Sequence, residues 1–277
     1  MTKWLINGTP GHSISVIDRG LTYGDGLFET IAVRDGCARF LDYHLHRLID
    51  GCNRLSISGQ NDDTLRTEVN ELASGCKLGT IKIIVTRGVG DRGYAPPTNP
   101  ESTRIIGLIP DEPPSRHLWQ TGIEMKFCKT RIGIDPDLAG LKTLGRLDQV
   151  LARAELTGSG FREGLMCTED GKVICGTMSN VFLAAEGSLL TPDLARCGIS
   201  GVMRKLVMEQ ASLIGIECRE VAIDVDELLG VSELFVTNSR IGIWPVVRVE
   251  STQYDIGPTT RRLMAALADI GVAECGR

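Results

Sequence analysis

The chain has 277 residues, 42% hydrophobic and 23% charged, with a net charge of −5. That length can bury a sizeable core, as one two-lobed unit or two modest domains. The acidic balance, without any basic run, argues against nucleic acid as a partner, and no apolar run reaches membrane-spanning length. Met1–Gly8 reaches asparagine and glycine too soon to read as a signal peptide. Nine cysteines, an odd count with no Cys-x-x-Cys pair, suit a reduced compartment better than a disulfide framework or a zinc site. The expectation is a soluble cytoplasmic protein with no metal and no membrane partner.

In chain order, Thr30–Val33 reads as a strand, and the apolar spacing of Leu41, Leu45, Leu48, Ile49, Cys52 and Leu55 predicts a helix over Leu41–Ile57. A second helix is expected over Asp63–Ser74, then strands at Lys82–Thr86 and Arg104–Ile109, with Ala95–Pro100 a loop between them. Asp111–Ser115 is proline-rich punctuation and the best linker, which divides the chain into a small α/β domain, 1–114, and a larger one, 115–277. Beyond it, Ile123–Thr130 alternates as a strand and Leu144–Leu156 as a helix. Gly164–Cys167 and Lys172–Ile174 form hairpin arms around Glu169-Asp170-Gly171. A loop at Cys197–Gly201 opens a helix running to about Ile214. Strands at Cys218–Ile223, Leu234–Thr237 and Trp244–Val249 and a last helix over Thr259–Ala268 complete a mixed α/β chain without internal repeats.

Lys142 lies in Leu138-Ala139-Gly140-Leu141-Lys142-Thr143, with apolar or glycine neighbours on its N-terminal side. A lysine there is either a side chain that snorkels out of an interface or an amine partly desolvated, hence a nucleophile for carbonyl carbon and a proton carrier. Arg47 flanks the apolar stripe of its helix, so it is a surface charge or a cation turned into a cleft. Cys197-Gly198-Ile199-Ser200-Gly201 offers glycine, a small hydroxyl and the free N–H groups of a helix start, the makings of an anion site. A phosphate would use both, and a carbonyl-bearing phosphate would use Lys142 as well. That combination describes pyridoxal 5′-phosphate.

The order Asp18-Arg19-Gly20-Leu21-Thr22-Tyr23-Gly24-Asp25-Gly26-Leu27-Phe28-Glu29-Thr30, His44-x-x-Arg47-Leu48, Lys142, Cys175-Gly176-Thr177-Met178-Ser179-Asn180-Val181-Phe182 and Gly198-Ile199-Ser200 resembles the fold-type IV pyridoxal-phosphate enzymes. That family holds branched-chain aminotransferases, D-amino acid transaminases and aminodeoxychorismate lyases. Arg87-Gly88-Val89-Gly90-Asp91-Arg92-Gly93-Tyr94 and Leu138–Leu151 are most similar to the lyase branch. The resemblance implies a two-lobed α/β fold with the cofactor in the interdomain cleft and the second lobe carrying Lys142. It implies a homodimer acting on a small molecule. Lys142 would hold the cofactor and, once freed by the substrate amine, remove the proton at the amine-bearing carbon. Arg47, Ile199, Ser200 and Ser239 would hold the phosphate, Ser239 where relatives often carry threonine. Loss of the enolpyruvyl group of 4-amino-4-deoxychorismate would give 4-aminobenzoate, a folate precursor, and pyruvate. Lys142, Thr30 or Tyr94 would supply the acid. Arg92 and Arg240 are either ligands for the two substrate carboxylates or solvated surface charges. Tyr23 and Asp25 belong to the signature turn, as substrate contacts or as structure.

Two positions depart from the family pattern. Cys175 stands where glutamate usually pairs with the pyridine nitrogen, and it is either a weak partner for that nitrogen or a small buried residue. A neutral partner there costs a transaminase more than an eliminating lyase. Gly145 stands where related lyases often carry asparagine, a change without a physical account. A transaminase of D- or branched-chain amino acids, and a catalytically silent cofactor-binding protein, are the alternatives.

Overall fold

The computed structural model describes residues 3–112, 117–185 and 187–276. The contacts divide the chain into two compact units: residues 1–114 with Leu141–Gly145, and residues 115–140 with 146–277. Of the proline-rich linker segment, Pro113, Pro114 and Ser115 lie outside the described residues. By its contacts Lys142 groups with the first unit rather than with the second, where the resemblance had put it. The reason is main-chain pairing. Phe28 donates its N–H to the Lys142 carbonyl at 2.9 Å and Leu144 donates to the Gly26 carbonyl at 3.0 Å, so residues 142–144 run beside an early strand.

The first unit is a six-stranded sheet, β1 (Lys3–Ile6), β2 (Thr9–Pro10), β3 (Gly26–Arg34), β4 (Cys37–Ala38), β5 (Leu78–Thr86) and β6 (Thr103–Pro110), in the order β2-β1-β6-β5-β3-β4. Every pairing is antiparallel. Alternation sorts its side chains between two faces. Leu27, Ile31 and Val33 of β3 with Ile81, Ile83 and Val85 of β5 pack on Leu45, Leu48 and Cys52 of α2 (Leu41–Arg54) and Leu65, Val69 and Leu72 of α3 (Asp62–Ala73). Phe28, Thr30, Lys82 and Ile84 point to the other face and are half-buried. The preceding α1 (Arg19–Tyr23) is a five-residue turn of helix capped by the Asp18 side chain. The helix expected to reach Ile57 stops at Arg54, because Ser56 takes a left-handed conformation at φ 53°.

The second unit is built on a nine-stranded sheet of β7 (Ile123–Phe127), β8 (Glu163–Cys167), β9 (Val173–Gly176), β10 (Asn180–Ala185), β11 (Ser188–Pro192), β12 (Cys218–Val221), β13 (Glu233–Asn238), β14 (Gly242–Val249) and β15 (Thr252–Gln253). Their order is β12-β11-β10-β13-β14-β7-β8-β9, with β15 beside β14. Among the described residues five α-helices accompany it, α4 (His117–Thr121), α5 (Leu147–Ala154), α6 (Val202–Leu213), α7 (Val225–Gly230) and α8 (Pro258–Asp269), with a short 3-10 helix at Ala273–Gly276. β7 ends at Phe127 rather than Thr130, since the Glu155 carboxylate takes the N–H groups of Lys129 and Thr130, both at 2.8 Å. The helix expected from Leu144 begins at Leu147, because residue 144 is occupied in pairing with Gly26. β10 and β11 carry no alternation to read: β10 is Asn-Val-Phe-Leu-Ala-Ala, buried through its first five residues.

Candidate active site

In the first unit the candidate residues gather at the start of β3. Leu27 pairs with Thr143, so Phe28 and Lys142 are neighbours across an antiparallel ladder. The Lys142 ammonium nitrogen stands 4.3 Å from the Phe28 ring centroid. Gly26 makes this approach possible, since a Cβ there would meet the Val85 carbonyl oxygen at 2.3 Å and Leu144 Cδ1 at 2.9 Å. Thr30 occupies the next position of β3 on the Phe28 face.

Glu29 points the opposite way, toward α2, and is buried. Its carboxylate accepts from Arg47 Nε at 2.7 Å and Nη2 at 2.5 Å and from His44 Nδ1 at 2.6 Å. Burial drives the Glu29 carboxyl upward, but the charge of Arg47 and the contact with His44 outweigh it and hold the group down at about 2. Burial also depresses His44, with Glu29 opposing, so the ring is neutral and donates from Nδ1. Its buried Nε2 has no hydrogen-bond partner among the described residues. The pairing sets the guanidinium plane of Arg47 from one edge. Neither Glu29 nor His44 was assigned a role from the sequence, although both stand inside the quoted motifs. A carboxylate in an otherwise apolar strand, next to an arginine flanking an apolar helix stripe, was the available signal.

Hydrogen bonds tie the signature turn to β5, β6 and the loop between them. Asp18 accepts from Gly20 N–H, Thr86 Oγ1 and Thr103 Oγ1. Arg19 donates to Asp25 and to the carbonyls of Gly93, Tyr94 and Ala95, while Arg87 binds Asp25 through two nitrogens. The Tyr23 hydroxyl accepts from Gly93 N–H at 3.1 Å, and its ring lies 5.4 Å from that of Tyr94. Arg92 and Tyr94 are exposed on this loop, and neither is bonded or ring-paired to Lys142, Phe28 or Thr30.

In the second unit three segments converge at one end of the sheet. Asn180 opens β10 and pairs with Thr237 near the end of β13. The Asn180 Nδ2 donates to the Ile199 carbonyl at 2.9 Å, fastening the loop before α6. Asn238 Nδ2 donates to the Met178 carbonyl at 3.2 Å, and Asn238 Oδ1 accepts from Arg240 and Ile241, shaping the turn that carries Ser239 and the exposed Arg240. The α6 N-terminus has no side-chain cap. A Cβ at Gly201, its N-cap, would lie 2.1 Å from Asn180 Oδ1, so this loop can close over Asn180 only with glycine there.

Cys175 sits in β9 opposite Met166, buried. Burial first, then the neighbouring Glu163, pushes its thiol well above the ordinary range, so it is a protonated thiol at neutral pH. Glu163 itself accepts from Gly164 N–H, Thr177 N–H and hydroxyl, and the Ser179 hydroxyl. It thereby anchors the turn between Cys175 and Asn180. Glu163 is silent in the sequence, because its side-chain partners Thr177 and Ser179 lie 14 and 16 residues away.

Each set by itself suits part of a carbonyl-bearing phosphate. In the first unit Lys142 supplies an amine and Arg47 an oriented guanidinium, and in the second the α6 start offers main-chain N–H groups behind a glycine N-cap. The amino-transferase class IV family model matches residues 26–249. The chain is 43% identical to the crystal structure of 4-amino-4-deoxychorismate lyase from Pseudomonas aeruginosa, with a TM-score of 0.93, covering 97% of this chain and 99% of that one. It is 31% identical to aminodeoxychorismate lyase of Vibrio harveyi, over 95% of this chain and 98% of the relative. It is 32% identical to a Methanocaldococcus jannaschii protein provisionally described as a branched-chain-amino-acid aminotransferase, over 93% and 91%. The chain belongs to the class IV aminotransferase family, whose members depend on pyridoxal phosphate.

Proposed function

We propose that this protein is the lyase that converts 4-amino-4-deoxychorismate to 4-aminobenzoate and pyruvate, a step toward folate. The observation that carries it is the 43% identity over nearly the whole length to a solved lyase of that name. The atoms of the substrate equal those of the two products, so no amine donor or other co-reactant enters.

Bound pyridoxal phosphate supplies the electron sink that lets the proton at the amine-bearing carbon leave. Lys142, beside Phe28, is the base that takes this proton. The ether bond to the neighbouring ring carbon then breaks, its electron pair leaves with the enolpyruvyl oxygen, and the methylene carbon takes up a proton as pyruvate forms. The Lys142 ammonium is the donor assigned here, with the Thr30 hydroxyl next on the same strand face. Arg47, oriented by Glu29, and Ile199, Ser200 and Ser239 serve the phosphate. The protonated Cys175 thiol places no anion at the ring nitrogen, which suits elimination better than transamination. Arg92, Arg240 and Tyr23 keep the assignment of substrate contacts, and Tyr94 that of an accessory acid.

A cytoplasmic homodimer goes with this reading. All nine cysteines are free, and no helix among the described residues is long and apolar enough to cross a membrane. Leu147, Val150 and Leu151 stand exposed at successive positions of one α5 face, a surface suited to a second copy. Sedimentation at micromolar concentration tests it: a dimer is expected, and a monomer refutes that part.

The decisive assay follows pyruvate release from 4-amino-4-deoxychorismate by cofactor-loaded protein and by Lys142→Ala. Catalytic release lost in the variant is expected. Conversion of the cofactor to its amine form by an amino acid alone, without pyruvate release, would instead favour the aminotransferase that the Methanocaldococcus relative represents.

A further inference from the structure

Arg204 stands in the first turn of α6 and is buried. A guanidinium removed from water needs acceptors for its N–H groups, and this one finds them on two strands. Its Nη2 donates to the Pro192 carbonyl at 3.0 Å and to Glu220 Oε2 at 2.7 Å, and its Nε to Thr191 Oγ1 at 3.3 Å. Thr191 lies opposite Glu220 where β11 and β12 run parallel, so one side chain spans both strands. The Thr191 hydroxyl gives its own proton to the Val181 carbonyl of β10, at 2.9 Å. Through Arg204 the first turn of α6 is thus tied to three strands of the sheet.

The loop before the helix is held by other groups. Gly140 N–H donates to the Gly198 carbonyl and Ser200 N–H to the Gly140 carbonyl, both at 3.0 Å. Asn180, next to Val181, holds the Ile199 carbonyl and lies against Gly201. A helix held only from its loop can still pivot at a glycine, whose backbone is the least constrained. Arg204 removes that freedom three residues on, with its Cβ 3.5 Å from the point a Gly201 Cβ would occupy. The main-chain N–H groups of Val202 and Met203, at the positive end of the helix, then keep one direction.

We propose that Arg204 is a positioning residue for the cofactor phosphate. By fastening the first turn of α6 to β11 and β12, it aims the N–H groups that follow Ile199 and Ser200. The inference rests on the reading that Ile199 and Ser200 serve the phosphate. Glu220 balances the charge of Arg204, so what this arginine contributes is direction rather than net field. A lysine in its place would keep the charge and lose the direction, because an ammonium lacks the planar fork that meets acceptors on two strands at once.

The test titrates cofactor-free protein by absorbance with pyridoxal 5′-phosphate and with pyridoxal, which has the same ring and carbonyl but no phosphate. The preference for the phosphate form, as the ratio of the two Kd values, reads the phosphate contacts and needs no turnover. Arg204→Lys should reduce that preference by roughly tenfold, the worth of about one hydrogen bond, while the Kd for pyridoxal holds. A general loss of structure would weaken both ligands alike. Glu220→Ala removes one half-exposed arm of the same network and should reduce the preference by roughly threefold. An unchanged preference in folded Arg204→Lys, or equal weakening of both ligands, overturns the proposal. Where Arg204→Lys does not fold, an unchanged preference in Glu220→Ala overturns it instead. A wild type that binds pyridoxal as tightly as its phosphate overturns the phosphate assignment of Ile199 and Ser200 and the proposal together. A wild type without pyruvate release, whose preference still falls in the variants, retains the role of Arg204 and refutes the lyase alone.

Discussion

Glu29 grips Arg47 through both carboxylate oxygens, at 2.7 and 2.5 Å, from the strand face opposite Phe28. One strand thus orients Arg47, the cation proposed to bind the phosphate, with one residue and borders Lys142, the proposed reactive amine, with the residue before it. Glu29→Gln keeps the shape and removes the charge. It should cost about 3 kcal/mol of stability, because Arg47 is left without its counter-charge, and weaken cofactor binding by roughly tenfold. Urea unfolding and an absorbance titration with pyridoxal phosphate measure the two effects. Wild-type cofactor affinity in Glu29→Gln would refute the orienting role.

The same cluster sets an acid limit. His44 is depressed below its unfolded value of 6.5, so the unfolded chain takes up a proton that the folded chain refuses, and stability falls as pH drops below 6.5. Glu29 is depressed from 4.5 to about 2, so its contribution is present above pH 4.5 and lost as pH falls from there toward 2. Each group adds a slope of up to about 1.4 kcal/mol per pH unit in its window. His44→Asn, whose amide can replace Nδ1–H, should flatten the profile just below pH 6.5 and leave in place the limb that Glu29 sets below pH 4.5. Denaturant midpoints across that range provide the check.

Glu163 closes the turn between Cys175 and Asn180 by accepting four hydrogen bonds from Gly164, Thr177 and Ser179. Glu163→Gln should cost roughly 2–4 kcal/mol, since an amide nitrogen cannot accept from buried donors. The loss in the double variant with Thr177→Val should be smaller than the sum of the single losses, because the two side chains share one contact. Strict additivity in a thermodynamic cycle would show that the contact carries no energy.

The thiols should separate by environment. Cys37 is exposed, whereas Cys175 is buried and held protonated. Alkylation of the native protein at pH 8 should mark Cys37 within minutes and leave Cys175 unmodified until denaturant is added. Mass spectrometry of tryptic peptides reads the order directly, and early labelling of Cys175 would contradict its protonated, buried state.

The sequence by itself determined the local elements with clear periodicity and the identity of the chemistry. The Leu41, Leu45, Leu48 and Cys52 stripe was legible as a helix because one face repeats every three to four residues, and the motif order around Lys142 led to a pyridoxal-phosphate family. It did not separate β10 and β11, whose buried runs lack alternation, nor place residues 142–144 along β3. Tertiary structure alone decided which side chains meet. Phe28, Lys82 and Lys142 come from distant points of the chain and share a ring contact only because two strand pairings bring them to one sheet face. Glu29 with Arg47 and Glu163 with Thr177 are partnerships of the same kind. Burial makes such pairs selective, because a charge or donor removed from water needs a partner wherever in the chain it is encoded.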